Sequence, residues 1–468
     1  VVRRAVACVV VVVVAVIAVG GAGCTPVERV FRCDDSRACG DGVCEATRAC
    51  SFADATCAET GRRYGALAPV ELANACVPRP CGGAGDACCD AGPACGDGLR
   101  CEGGLCVGCV RAIAAGGAHT CALRSDGSGW CWGRGREGQL ARGVVGDAAA
   151  PVAIADARGT ALGGLTALAT GARHTCLLRS DRTVLCAGDG ARGQLGRGGA
   201  LGDPSVPTLI GLTEMAAIAA GDRHTCAAGT DGRVWCWGAD DLGQAATGGD
   251  RDVPAAALER ATTQIAEVAA LAAGATHTCA LKRDGALWCW GSHASGELGD
   301  GSVASSSPPV AVAALGRRAR AVAAGDGFTC ALDDEGAVWC WGRNDVGQSG
   351  QAPGARVAIP TVVPLPRATS VAAGAAHACA RLAGGGLRCW GDTTRGRLGA
   401  GAMSATGPTA VVDGGGELGG AALVAAGGAH GCAARGDGVW CWGANDAGQL
   451  ATAGDDRASA ARTPLTCP

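Results

Sequence analysis

No excess of positive charge marks this chain. Its 40 basic and 43 acidic residues leave a net charge of -3, which removes the electrostatic reason to expect a nucleic-acid partner. Lysine is nearly missing: Lys282 is the single one, and every other basic residue is arginine. With Ala, Gly, Val and Arg dominant and Val1 in first place, the coding bias reads as that of a GC-rich bacterial gene with an alternative start codon. The sequence also lacks a Gly-x-Ser-x-Gly elbow, a Walker loop, a His-Glu-x-x-His helix and a paired-carboxylate context. Nothing therefore nominates a nucleophile, a phosphate cradle or a metalloprotease centre. No catalytic residue, metal ligand or cofactor is expected.

Cysteine is abundant instead. Thirty in one chain of 468 residues point to an exported, oxidising compartment. The first residues agree with export. Arg3 and Arg4 precede an apolar run from Ala5 to Val19, and Gly20-Gly21-Ala22-Gly23-Cys24 follows. Charge, apolar core and small residues are the layout of a secretory signal. Residues 1–24 are therefore expected to be a signal of the lipoprotein type, with Cys24 lipidated and anchoring the protein in the bacterial cell envelope, at the outer membrane. Simple secretion and an uncleaved anchor are the competing readings.

Residues 25–109 have almost no apolar periodicity and no histidine. They hold thirteen cysteines after Cys24, the last of them Cys106 and Cys109. Such a segment is held by disulfides rather than by a hydrophobic core. The adjacent Cys88-Cys89 pair resembles knottin-like or granulin-like modules, and the connectivity stays open.

Residues 110–468 carry one phrase seven times, in full as Ala272-Ala-Gly-Ala-Thr-His-Thr-Cys-Ala-Leu-Lys-Arg-Asp-Gly-Ala-Leu-Trp-Cys-Trp-Gly291. Copies recur every 49 to 55 residues, a period of solenoids and propellers. Short apolar runs around Asp-Gly signal hairpins. Four strands per unit predict an all-β fold, a seven-bladed β-propeller, with an open solenoid as the alternative. Each unit is expected to open on a Pro-led run such as Pro309-Val-Ala-Val. The first unit lacks one, so the segment Pro464-Leu-Thr-Cys467 is expected to complete the first blade and close the ring.

Within the units the cysteines pair as Cys121 and Cys131, Cys176 and Cys186, Cys226 and Cys236, Cys279 and Cys289, Cys330 and Cys340, and Cys379 and Cys389, ten residues apart, and Cys432 and Cys441, nine apart. Centred on a hairpin turn, such residues face each other within disulfide reach. Seven intrablade staples are expected, with buried free thiols as the other reading. Parity adds one bridge. With Cys8 and Cys24 removed by processing, the odd number in 25–109 leaves Cys467 to pair with Cys109 or its neighbour Cys106.

Six histidines share one slot: His119, His174, His224, His277, His377 and His430, with Phe328 in the fifth unit. A position that accepts phenylalanine is read as packing, its ring nitrogen meeting a backbone carbonyl. His293 stands outside the slot. Tryptophans flank the second cysteine, as in Trp288 and Trp290, and are expected to pack between blades.

The phrase Ala-Ala-Gly-x-x-His-Thr-Cys-Ala-Leu, then Asp-Gly-x-Val-Trp-Cys-Trp-Gly, then Gly-Gln-Leu resembles the regulator of chromosome condensation repeat family, over about Val110 to Pro468. The resemblance implies a seven-bladed propeller with four strands per blade. It also implies a choice of roles, because the founder is an exchange factor for a small GTPase that also binds chromatin. The paired cysteines resemble secreted bacterial members instead. The expectation is a monomeric, membrane-tethered scaffold for an unknown protein or surface ligand. A GTPase exchange factor and a glycan-active enzyme are the alternatives. Arg134 to Glu137, Arg343 to Asp345 and Asn445-Asp446 are the non-repeated loop residues expected to make contact.

Overall fold

The computed structural model describes residues 109–468 apart from 200–203, 261–262, 402–406, 437, 453 and 466–468; before residue 109 it describes the strand segments 43–44, 50–53, 62–64, 99–102 and 105–108. Cys24 and Cys467 lie outside the described residues. The chain divides into two compact units, residues 1–96 with 101–106, and residues 97–100 with 107–468. In the first unit, Val43–Cys44, Cys50–Ala53 and Arg62–Tyr64 form a three-stranded antiparallel sheet.

The second unit is a ring of seven four-stranded antiparallel sheets, each in sequence order. The innermost strands start at Val110, Leu165, Met215, Val268, Ala319, Ala368 and Leu423, and these open blades one to seven. Blade four is representative: Val268–Ala273, His277–Lys282, Leu287–His293 and Ala304–Ala311. Alanine and glycine dominate the innermost strands because seven strands converge on one axis. A Cβ on Gly116 would lie 2.5 Å from the carbonyl oxygen of Gly171 in the next blade, so only glycine allows that approach. In blades one, three and four the hairpin between second and third strands turns on Asp-Gly. Gly285 takes φ of 87°, and the Asp284 carboxylate accepts the Ala286 N–H at 2.9 Å, an Asx turn.

This hairpin register sets each cysteine directly opposite its partner. A disulfide joins every pair, with Cα atoms 4.1 to 4.2 Å apart. All fourteen cysteines are fully buried. Cys109 is buried and disulfide-bonded.

The repeat is phased differently from the expectation. The Pro-led runs do not open a blade; they end the preceding one. Pro151 lies in Ala148–Ala153, the outermost strand of blade one, and Pro360 lies in that of blade five, Val357–Val362. Blade one therefore draws its four strands from residues 110–153, and the described residues of the C-terminal segment, Pro464 and Leu465, are not among them. Blade seven takes its outermost strand from Arg457–Arg462. The ring closes by packing. Leu465, Cys109, Val110 and Trp132 share one buried cluster with Cys432 and Cys441, and the Gly428 N–H donates to the Gly116 carbonyl at 3.0 Å. Leu465 thus reaches the closing seam as a buried side chain.

Candidate functional site

The repeated polar residues form a relay at five of the seven seams. In blade n the histidine leads the second strand. Its Nε2 meets the threonine hydroxyl that follows the histidine of blade n+1. The distances are 2.9 Å for His119 and Thr175, and 2.8 Å for His174 and Thr225, His224 and Thr278, His277 and Thr329, and His430 and Thr120. The partner is a side-chain hydroxyl, not the backbone carbonyl expected from sequence. Each hydroxyl in turn donates to a loop carbonyl of blade n: Gln139, Gln194, Gln244, Glu297 and Gln449. With the hydroxyl hydrogen so committed, the imidazole must donate from Nε2. Nδ1 then stays bare, and it has no partner in any of the six. Burial pushes the imidazoles down, to about 3 for His119, His224 and His377 and about 4 for His174, His277 and His430. All six are neutral at physiological pH.

The same loop carbonyl takes a second donor. Trp132, Trp237, Trp290, Trp341 and Trp390 donate Nε1–H to Gln449, Gln194, Gln244, Glu297 and Gln348 at 2.8 to 3.1 Å. Trp442 does so to Arg397 at 2.9 Å. Each of these indoles packs on the disulfide of the preceding blade, as Trp237 does on Cys176–Cys186. Blade two has Ala187 in this place, and Leu140 and Leu177 join it in the cluster around Cys121–Cys131. The outer tryptophans are half-buried at the opposite end of the strand. There Arg124 stands 4.3 Å over Trp130 and Lys282 stands 4.6 Å over Trp288, a cation–π arrangement.

One further slot escaped sequence reasoning. Two residues beyond the Trp-Cys-Trp-Gly glycine sits a loop organiser. Asp240 accepts from the N–H groups of Ala245, Thr247 and Gly249 at 2.8 to 3.0 Å. Asn344 and Asn445 hold their own loops in the same way. Both are buried, so they belong to the scaffold rather than to the exposed contact set. His293 occupies this slot too. Its Nε2 meets Asp300 at 2.9 Å and Ser302 at 2.8 Å. The signal was available as a fixed offset from the glycine, but its residue type varies.

The organised loops and the Ala-Gly turns lie on one face. At its centre is a funnel of about 130 Å³, lined by the Ala-Gly turns of all seven blades. Asp222 and Asp326 stand at its mouth. Both carboxyls touch solvent, yet the rim withdraws enough water to push them above the ordinary carboxylate range. Asp326 raises Asp222 further, while Arg343 opposes the shift of Asp326. Arg343 and Asp345, on a long loop, both act on Asp326, while Arg136 and Glu137 stand on the equivalent loop of blade one. Ion pairs cross three seams on this face: Arg173–Glu137 at 3.6 Å, Arg192–Asp250 at 2.9 Å and Arg395–Asp456 at 2.7 Å. No group of three or more His, Cys, Asp or Glu residues suited to a metal occurs among the described residues. No helix among them is long and apolar enough to cross a membrane.

Comparison with known proteins matches this ring to models of the regulator of chromosome condensation (RCC1) repeat. One model matches seven segments between residues 110 and 449, and a second matches five segments between 126 and 381. The ultraviolet-B receptor UVR8 of Arabidopsis thaliana is 30% identical over 245 residues, 52% of this chain and 54% of that protein. The E3 ubiquitin-protein ligase HERC2 of Homo sapiens is 29% identical over 257 residues, 54% of this chain but 4% of that protein. The chain thus spans about half or less of the length of these curated relatives. Among solved structures, Prp20p of Saccharomyces cerevisiae superposes with a TM-score of 0.61 at 21% identity, covering 73% of this chain and 86% of that one. Human WBSCR16 gives 0.59 at 21% identity, covering 68% and 84%. At such identities the likeness is one of fold.

Proposed function

The chain belongs to the regulator of chromosome condensation repeat family, and from that premise we propose that it is an exported, membrane-tethered scaffold that binds another protein on its funnel face. One observation carries the reading. The residues that recur in most blades are occupied inside the seams, five histidines with threonines and six tryptophans with loop carbonyls. What differs from blade to blade on the funnel face, namely Arg136, Glu137, Arg173, Asp222, Asp326, Arg343 and Asp345, is left to face a partner. Seven buried disulfides support an oxidising compartment. The solved structure of Prp20p is described with its binding to Gsp1p and histones, which keeps exchange on a small GTPase as the second reading.

Photo-crosslinking separates the two faces. A crosslinker placed at Arg136 or Asp345 should capture a partner in envelope extracts of the native host, and one placed at Asp284, on the hairpin face, should not. Equal capture from both faces, or from the hairpin face alone, removes the proposed surface. Nucleotide release from a panel of small GTPases tests the second reading directly. Mass-tag labelling of thiols in fractionated cells tests export. Reduced cysteines in the cytosolic fraction would overturn it.

A further inference from the structure

The relay is whole at five seams, and the remaining two depart from it in different ways. Between blades five and six both members have changed. Phe328 stands where histidine stands elsewhere, and Ala378 stands where its threonine would be. Both are fully buried, and they share one apolar cluster. That exchange removes donor and acceptor together, which leaves nothing unsatisfied. Between blades six and seven only one member has changed. His377 remains, but its threonine has become Gly431. His377 is fully buried, and both of its ring nitrogens lack a hydrogen-bond partner. The His430 carbonyl favours the charged form of the ring, the least of the influences on it, and it already takes the Gly427 N–H at 2.8 Å. Trp442 has closed over the glycine, so that a Cβ there would meet its ring at 2.7 Å. The missing hydroxyl therefore cannot be restored by substitution without displacing the indole.

The same seam is weaker in its strands. The innermost strand of blade seven is Leu423–Ala426, four residues, where the other six blades have six. Arg397 replaces the loop glutamine. It bonds back to Thr394 and pairs with Asp392 at 3.0 Å, both on its own loop. Across the seam, Arg395 reaches Asp456 at 2.7 Å and Asp446 at 3.5 Å, with all three side chains more than a third exposed or nearly so. Exposed pairs of this kind contribute little and are screened by salt.

We infer that the seam between blades six and seven is the joint at which the ring opens, and that acid drives the opening by charging His377. A buried imidazole with two bare nitrogens gains hydration when the seam parts, whereas its counterparts lose a hydrogen bond. The titratable groups facing it are Arg397 and His430. Burial and the Arg397 cation oppose a proton on His377, and the His430 backbone offsets them only in small part, so the imidazole stays neutral while the seam is closed. Once the seam is open, the imidazole takes a proton from solvent and cannot reclose with it. The closed ring holds this group down at about 3, against an ordinary value near 6.5. Acidification to about pH 5 should therefore favour the open seam by up to roughly thirtyfold for this one group.

Amide hydrogen exchange of the full chain tests this, with rates corrected for intrinsic pH dependence. At neutral pH the strands His377–Leu382 and Leu423–Ala426 should exchange at least about tenfold faster than their equivalents at the seam between blades two and three, His174–Arg179 and Met215–Ala220. At about pH 5 both seams should loosen, because burial holds His174 low as it does His377, and the gap should persist. His377→Phe, which puts the residue of the Phe328 slot here, should narrow the gap at pH 5, because this seam then has no imidazole to charge. His174→Phe, which removes the imidazole N–H that donates to Thr225, should instead loosen its own seam at neutral pH. Equal protection of the two seams at both pH values overturns the inference. So does His377→Phe exchanging as the parent does at pH 5. If that variant does not fold, the comparison of seams in the parent protein still decides.

Discussion

A single hydroxyl carries two bonds in most seams of this ring. Thr225 accepts from His174 and donates to the Gln194 carbonyl, at 2.8 and 2.9 Å. Thr225→Val keeps the shape and removes both bonds, leaving a buried imidazole N–H without a partner. Each buried donor stranded in this way costs about 1–3 kcal/mol. The substitution should lower the denaturant midpoint by that amount without changing the slope, and a variant as stable as the parent would show that the relay contributes nothing. Gly116→Ala meets a harder obstacle, because the added carbon points at the Gly171 carbonyl oxygen. The histidine slot was legible in the sequence as a position, and Phe328 was enough to read it as packing. The partner was not legible. Thr175 lies beside His174 in the chain but bonds His119 of the preceding blade. Only the ring's geometry says which blade faces which, and so the exchange of Ala378 with Phe328, or the loss marked by Gly431, has no meaning until the blades are adjacent.

Each blade is fixed by its central hairpin and by what the next blade lays on it. Cys226 and Cys236 are directly opposed in register, and Trp290 of blade four packs on their disulfide. Replacing both cysteines by alanine opens a loop of about ten residues, which costs about 2–3 kcal/mol on the chain-entropy account. It also thins the surface beneath Trp290. Thermal unfolding of the double variant should show a lower midpoint than the parent, and the same change in Cys121 and Cys131, which meet Ala187 rather than an indole, should lose less. Equal losses would mean that the indole contact adds nothing to the bridge. Strand content and hairpin register were readable from the Asp-Gly turns and the spacing of the cysteines. The phase of the repeat was not, because a cyclic pattern has no intrinsic first strand. The Pro-led runs looked like openings because apolar alternation follows them, yet Val152 pairs with Cys131 behind it rather than with the next blade. Phase is set by which hairpin a run can reach, and that depends on the intervening loop, not on the run itself.

At the scale of the whole ring, six imidazoles are buried without charge, and this sets how the protein meets acid. Each has a folded pKa held at about 3 or 4 by burial, well below the ordinary histidine value of 6.5. A base whose pKa is depressed by folding binds protons more tightly when unfolded. Its contribution is therefore complete above about pH 6.5 and is lost as pH falls below that value, until the folded group can also take up a proton. With six such groups the stability should fall by up to about 8 kcal/mol per pH unit between roughly pH 6 and pH 4. Carboxylates such as Asp345 and Asp456, which their arginine partners hold low, add their own loss only at more acid pH. The result is a cooperative acid transition in a protein whose disulfides remain intact. A titration of denaturant stability should give a proton-linkage slope that rises to between about five and six near pH 5 and is about four at the edges of this window, with little change between pH 7 and pH 8. His119→Phe together with Thr175→Ala, made on the pattern of Phe328 and Ala378, should reduce the slope by one while keeping the ring folded. A slope unchanged by that pair would mean that the protons enter elsewhere, and that the buried histidines do not set the acid limit of the ring.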